Sequence, residues 1–428
     1  MSTPLRVGIA GLGTVGAGVL RLLRDNAEII SARAGRPIVA EKISARDRTR
    51  DRGVSLEGLN WHDDPLGMVD QVDVVVELIG GSDGPAKALA EASIAAGRSL
   101  VTANKALLAV HGGALAAAAE AAGVALGYEA AVAGGIPVIK VLREGLAGNR
   151  ISRLAGILNG TCNYILTVMR EQKRDFADVL AEAQALGYAE ADPSFDIDGV
   201  DAAHKLAILA ALAFGRQVDF AAVHVEGIRH VSALDINFAE ELGYRIKLLG
   251  IARQTAGGIE VRVHPAMVPR AAPLAAVDGV FNAVLLEGDF SGPVFLQGRG
   301  AGAGPTASAV VADLIDIARG SKIPVWGIPA AEQAAPGKIS ILEHSGAYYL
   351  RLMVRDQPGV LADVTAILRD HGISLESMLQ HGRKPDEAVP IVLVTHETRE
   401  ADVARALGAI SELPAILEPP ALIRIEES

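Results

Sequence analysis

The stretch SFDIDGVDAAHKLAILAALAF (Ser194–Phe214) sets Asp196, Asp198 and Asp201 ahead of an apolar run that keeps one lysine, Lys205. From Asp201 onward it reads as a helix rich in alanine and leucine. Residues four apart share a helix face, so Asp201 and Lys205 can act together. On a solvated surface such a pair contributes about 0.5 kcal/mol and carries no further meaning. Inside an apolar run it points to chemistry instead. A carboxylate can seat a cationic group, and an ammonium can meet a developing anion or give it a proton.

A second group of residues suits a dinucleotide. In GLGTVG, Gly11 permits a tight turn, Gly13 lets the backbone approach a pyrophosphate, and Gly16 allows close packing of helix on strand. Leu12, Thr14 and Val15 complete the loop, and the helix that opens here offers free N–H groups and a positive dipole end to phosphates. The next strand ends at SARDRTR, with Arg46 where NAD-preferring sites often carry an acid, and Arg48 and Arg50 close behind. A cation there suits a 2′-phosphate, so the expected cofactor is NADP or NAD, with NADP favoured. ELIGG, at the end of another strand, brings backbone at Gly80 beside the ribose or nicotinamide. VTANK ends in Lys105 at a helix start, where a cation opposes the dipole unless an anion or carboxylate faces it.

These residues need a scaffold. Strand candidates LRVGIA, IVAEKISARD, QVDVVVELIG, SLVTAN and VALGYEA alternate with helix-length segments through residues 1–130, the pattern of a doubly wound parallel sheet. Residues 131–320 mix helices with β-like segments such as GIEVRVHPAMVP, and read as an α+β substrate domain. Within them a glycine-rich turn at Gly302 opens a helix, about 300–320, expected to return to the first domain. A connector rich in proline and glycine, about 321–345, precedes a βαββαβ unit over 346–428. The expected class is α/β: a Rossmann-type sheet, an α+β domain and a small C-terminal βαββαβ domain.

Half of the 428 residues are hydrophobic, enough for a large core. A net charge of −11 argues against a nucleic-acid partner, which needs a basic face. The single cysteine, Cys162, excludes an internal disulfide and a thiolate metal cluster. Its small side chain suggests packing, not redox chemistry. MSTPLRVGIAG lacks the pattern of a signal peptide, and no apolar run is long enough to span a bilayer. The expectation is a cytoplasmic protein without a membrane partner.

Six segments together resemble homoserine dehydrogenase in its single-function form with a C-terminal ACT domain. They are GLGTVG, TANKALL, EAAVAGGIPVI, LNGTCNYIL, GYAEADPSFDIDGVDAAHKLAIL and AGAGPTASAVVADL, in the family order over residues 5–320. The resemblance implies reversible NAD(P)H-dependent reduction of L-aspartate 4-semialdehyde to L-homoserine, on the route to threonine, isoleucine and methionine. It implies that Lys205 is the proton donor and Lys105 a second catalytic-site lysine, with Glu190, Asp196 and Asp201 holding the substrate. Asp192 and Asp198 match less securely and are expected to be turn or cap residues. It further implies a monovalent cation, usually sodium, held by Glu129 and the carbonyls of Val132, Gly134 and Ile136, and a cofactor contact at Gly302.

The last domain resembles ACT modules, which sense amino acids and pair side by side. Its loop through Asp356, Pro358 and Gly359 meets a helix start at Val360 and Leu361, whose N–H groups can receive a carboxylate. Threonine is the expected effector, and a homo-oligomer, dimer or tetramer, the expected assembly.

Overall fold

The computed structural model describes residues 3–337, 339–381 and 387–426. The first sheet has six parallel strands: β1 (Leu5–Ala10), β2 (Ile38–Ser44), β3 (Asn60–His62), β4 (Val74–Glu77), β5 (Ser99–Thr102) and β6 (Leu126–Gly127), in the order β3-β2-β1-β4-β5-β6. The order reverses at β1 and β4, and the carboxyl ends of such neighbouring strands open the crevice where ligands bind. GLGTVG lies there, leading from β1 into the helix Thr14–Asp25.

The helix Ala303–Arg319 packs on Thr14–Asp25. Ala307, Val310 and Leu314 join Val19 and Leu20 in one buried cluster. The approach is close enough that a Cβ on Gly18 would stand 2.6 Å from the carbonyl oxygen of Ala303. A helix late in the chain thus belongs to the core of the first sheet. Two pieces had too little pattern to be read from sequence: the three-residue β3 and the helix Ala27–Ala34.

The second sheet is mixed. Its first strands are β7 (Ile151–Ile157), β8 (His224–Val225), β9 (Tyr244–Thr255), β10 (Gly258–Pro269), β11 (Phe281–Gly288) and β12 (Gly292–Arg299). The helix Val200–Phe214 lies across β9 and β10, and Leu206, Ile208 and Leu209 are fully buried. That burial explains its composition, since a helix apolar on most faces is covered on most faces. Gly250 of β9 lies beneath it, where a Cβ would stand 2.9 Å from the Leu158 side chain and in ordinary contact with Leu206.

The C-terminal unit follows the expected βαββαβ order. Its strands are β13 (Ser345–Arg355), β14 (Leu375–Gln380), β15 (Ala388–Thr395), the two-residue β16 (Thr398–Arg399) and β17 (Ala421–Ile425). Helices Val360–Asp370 and Glu400–Ser411 cover one face around Leu350, Leu352, Val364 and Val403. This sheet is continuous with its neighbour. β17 pairs in parallel with β10, Ala266 opposite Arg424 and Met267 opposite Ile425, giving the path β12-β11-β7-β9-β10-β17-β13-β15-β14. The connector is packed as well: Trp326 is buried, and the Tyr128 hydroxyl donates to the Val325 carbonyl at 2.7 Å. Pairing at β10 satisfies an edge that would otherwise present open backbone groups. No helix among the described residues is long and apolar enough to cross a membrane.

Candidate active site

Lys205 projects from the first turns of its helix toward the end of β7. Its Nζ donates to the Leu158 carbonyl at 2.8 Å and to Asp201 Oδ2 at 2.7 Å. The other oxygen of Asp201 stands 3.1 Å from Lys105 Nζ. The two lysines, a hundred residues apart in sequence, therefore share one carboxylate, and Lys105 meets the acid its place at a helix start called for. Burial would raise the Asp201 carboxyl, but Lys205 and Lys105 outweigh it and hold it at about 2.

Asn159 ties this pair to Asp196. Its side-chain nitrogen donates to Asp196 Oδ1 and to Asp201 Oδ2, both at 2.8 Å, while its oxygen caps the helix Gly160–Gln172 by accepting from the Cys162 N–H. The Thr161 hydroxyl reaches Asp196 Oδ2 at 3.1 Å. Burial, with Asp201 nearby, pushes the Asp196 carboxyl upward. Asn159 caps the helix and Thr161 stands in its first turn, and neither carries a charge, so only contacts across the fold reveal their place. Asp192 and Asp198 stay outside: Asp192 accepts from the Ser194 N–H in a local turn, and Asp198 pairs with Arg229. Glu190 is exposed on the loop after helix Phe176–Ala185, and its carbonyl accepts from Gln184. It is not brought to the lysines. Cys162 is fully buried, and burial raises its thiol well above the ordinary value, in keeping with packing.

Lys105, Asn159, Asp196, Asp201 and Lys205 line a cleft of about 570 Å³ together with Val15, Gly302 and Thr306. The glycine loop borders it. Gly11 has φ +98° and lies against β4's exit, where a Cβ would stand 2.4 Å from the Leu78 carbonyl oxygen. Gly16 is pressed on Gly11, with 2.2 Å available to a Cβ. Gly13 differs: a Cβ there would meet nothing within 4 Å, and the helix that starts at Thr14 has no side-chain cap. Open space above uncapped N–H groups fits a pyrophosphate. Leu12 is buried, and its carbonyl accepts from Arg52 Nε at 3.0 Å, so Arg52 reaches the loop although its spacing in the sequence gave no sign of it. Arg46 is exposed just past β2, whose Ser44 carbonyl accepts from the Gly11 N–H. Gly80 has φ +86° and donates to the buried Glu77, which also accepts from the Thr102 hydroxyl at 2.6 Å. Glu77 thereby fixes the loop beside Lys105.

The chain matches three family models: the homoserine dehydrogenase NAD-binding domain over residues 11–129, homoserine dehydrogenase over 137–315, and the ACT domain over 348–415. It is 48% identical to homoserine dehydrogenases of Neisseria gonorrhoeae and Pseudomonas aeruginosa, over 99% of this chain and 99% of each relative. The chain belongs to the homoserine dehydrogenase family. The crystal structure of a homoserine dehydrogenase from Thiobacillus denitrificans superposes with a TM-score of 0.94 at 49% identity, covering 99% of both chains. As a homoserine dehydrogenase it is an NAD(P)-dependent oxidoreductase that carries an ACT regulatory domain.

Two further loops of this dehydrogenase carry the residues at which a cation and an effector are expected. Glu129 is buried and accepts from the Ile139 and Lys140 N–H groups at 3.0 and 2.8 Å. Burial and the neighbouring Asp313 push it up to about 7. Ala133 and Gly134 follow with φ +56° and +49°, which curl the backbone between the buried Val132 and Ile136. A carboxylate and carbonyls in such a curl are donors of the kind that a hard monovalent cation takes. In the ACT domain, Gly359 has φ +98° and caps the helix Val360–Asp370, with the Asp356 N–H held by the Glu387 carbonyl at 3.0 Å. Pro358 is exposed, Val360 is buried and Leu361 is half-buried.

Proposed function

We propose that the enzyme reversibly reduces L-aspartate 4-semialdehyde to L-homoserine with a nicotinamide cofactor, NADP favoured over NAD. The observation that carries this reading is the pair of lysines, Lys205 and Lys105, on one ionised Asp201 at the floor of the cleft. The cofactor supplies the hydride, and everything else falls to the chain. The Lys205 ammonium gives its proton to the carbonyl oxygen as negative charge develops there, and Lys105 adds a second positive charge beside it. Asp201 keeps both ammonium groups in place. Asp196 receives the substrate's α-ammonium together with Asp201, and Glu190 is the third carboxylate proposed to hold the substrate.

Gly11, Leu12, Gly13, Thr14, Val15 and Gly16 would hold the pyrophosphate, with Gly80 and Gly302 at the cofactor's flanks. Arg46 faces the adenosine end, and a cation there favours a 2′-phosphate. Glu129, Val132, Gly134 and Ile136 would hold sodium, whose charge would offset the buried carboxylates. Residues Asp356, Pro358, Gly359, Val360 and Leu361 form the proposed threonine site of the ACT domain, in a homo-oligomer that is a dimer or tetramer. The domain limits proposed are 1–130 with the returning helix, 131–320, the connector 321–345 and 346–428. Steady-state kinetics with NADH and NADPH, each with and without threonine, test these assignments. Higher kcat/KM with NADPH, threonine inhibition, and rejection of a semialdehyde lacking the α-ammonium are the expected results. Equal use of that analogue would contradict the substrate reading.

A further inference from the structure

The seam between β10 and β17 places one guanidinium between two units. Arg424 is buried, at 2% exposure. Its Nη1 and Nη2 donate to the two oxygens of Glu226, at 2.9 and 2.8 Å, and its Nε donates to Glu400 at 2.9 Å. Glu400 opens an ACT helix. Glu226 lies just past β8, where its N–H donates to the Val263 carbonyl of β10 at 2.7 Å. His224 also contacts Glu226 at 2.7 Å.

The three residues after Glu226 grip the segment that carries Asp196. A Cβ on Gly227 would stand 2.2 Å from the Ile197 carbonyl oxygen and 2.5 Å from Asp198 Cα, so only glycine lets the two backbones meet. The Ile228 N–H donates to the Ile197 carbonyl at 2.8 Å. Arg229 pairs with Asp198 and reaches the Ser194 hydroxyl at 3.0 Å. On the facing side, Gly199 at φ +85° sits 3.2 Å, measured from a Cβ, below the Glu226 carbonyl oxygen. Residues 194–199 are thus clamped on one side by 226–229 and on the other by Asn159 and Thr161, with Asp196 between.

We propose that Arg424 is a positioning residue for the dehydrogenase reaction, fixing Asp196 through Glu226, Gly227 and Ile197 and so linking the ACT domain to the substrate's seat. The proposal rests on the reading in which Asp196 receives the substrate ammonium. A bidentate fork sets both distance and angle, which a single ammonium does not. Buried ion pairs commonly add little net stability over apolar residues of the same size. Losing Arg424 removes the fork that holds the Glu226 side chain, and Glu226 leads directly into Gly227 and Ile228, whose backbone meets Ile197.

The test uses full-length Arg424→Met, Arg424→Lys and Glu226→Gln, with Asp196→Asn in parallel, measuring KM for homoserine, KM for the cofactor and kcat. Arg424→Met and Glu226→Gln are expected to raise the homoserine KM about tenfold, with the cofactor KM within about twofold and the double variant no worse than the worse single. Arg424→Lys should recover part of the loss. If Asp196→Asn raises the homoserine KM and neither Arg424→Met nor Glu226→Gln does, the positioning role is overturned and the substrate reading stands. If Asp196→Asn leaves that KM unchanged, the substrate reading falls and this route falls with it. A loss of thermal stability with unchanged KM values marks a purely structural role and also overturns the proposal. Should Arg424→Met not fold, Glu226→Gln decides alone.

Discussion

Asp201 accepts hydrogen bonds from Lys205 and Asn159 while facing Lys105, so its charge is what lets two lysines stand in one cleft. Its folded-state carboxyl, at about 2, lies below the ordinary value of 3.8. The sign follows from that depression. Ionised Asp201 contributes its full stabilisation above about pH 4, and the contribution fades as pH falls toward 2. The denaturation midpoint of Asp201→Asn should lie below wild type at neutral pH, with the gap closing through that acid window. A gap independent of pH would contradict the account. Spacing alone placed Asp201 and Lys205 on one helix face. Asn159 was beyond such reasoning, because its two acidic partners lie 37 and 42 residues away and its own neighbours suggest only a helix cap. Glu190 came from family resemblance, and its exposed position outside the cleft lining reflects a loop that the sequence pattern does not fix.

At the scale of elements, the glycine loop separates two requirements that the G-x-G-x-x-G pattern states together. Gly16 serves packing, since a Cβ would meet the Gly11 carbonyl oxygen at 2.2 Å, whereas a Cβ on Gly13 would meet only the open space proposed for the pyrophosphate. Gly16→Ala should destabilise the protein by about 1–3 kcal/mol through overpacking. Gly13→Ala should leave the melting temperature unchanged and weaken cofactor affinity about tenfold by filling the space the pyrophosphate needs. Equal melting losses in the two variants, read by thermal denaturation and cofactor titration, would refute this division. The strands and the helix of this loop were legible because hydrophobic periodicity and glycine punctuation agree there. The helix Val200–Phe214 was legible from length and composition, and only the sheet beneath it explains why it is apolar on most faces.

On the scale of the whole molecule, sequence order suggested an ACT unit set apart by a connector. Two paired residues on β17 and β10 make one continuous sheet instead. The pairing is short, so no run of alternation announces it, and its ion pairs join residues far apart: Arg262 with Glu426, Arg424 with Glu226, Arg351 with Asp235. Cutting the chain near residue 345 would take Glu426 from the buried Arg262 and both Tyr349 and Arg351 from the buried Asp235, so a truncated protein does not isolate regulation from stability. The catalytic claim is better met in the intact chain. The most direct measurement is NADPH oxidation with L-aspartate 4-semialdehyde by wild type and Lys205→Ala, alongside fluorescence titration of NADPH. Rapid turnover is expected in wild type, and a loss of about a hundredfold or more in the variant with cofactor affinity retained. Turnover of Lys205→Ala within about threefold of wild type would contradict it, because general acid catalysis by that lysine is worth far more.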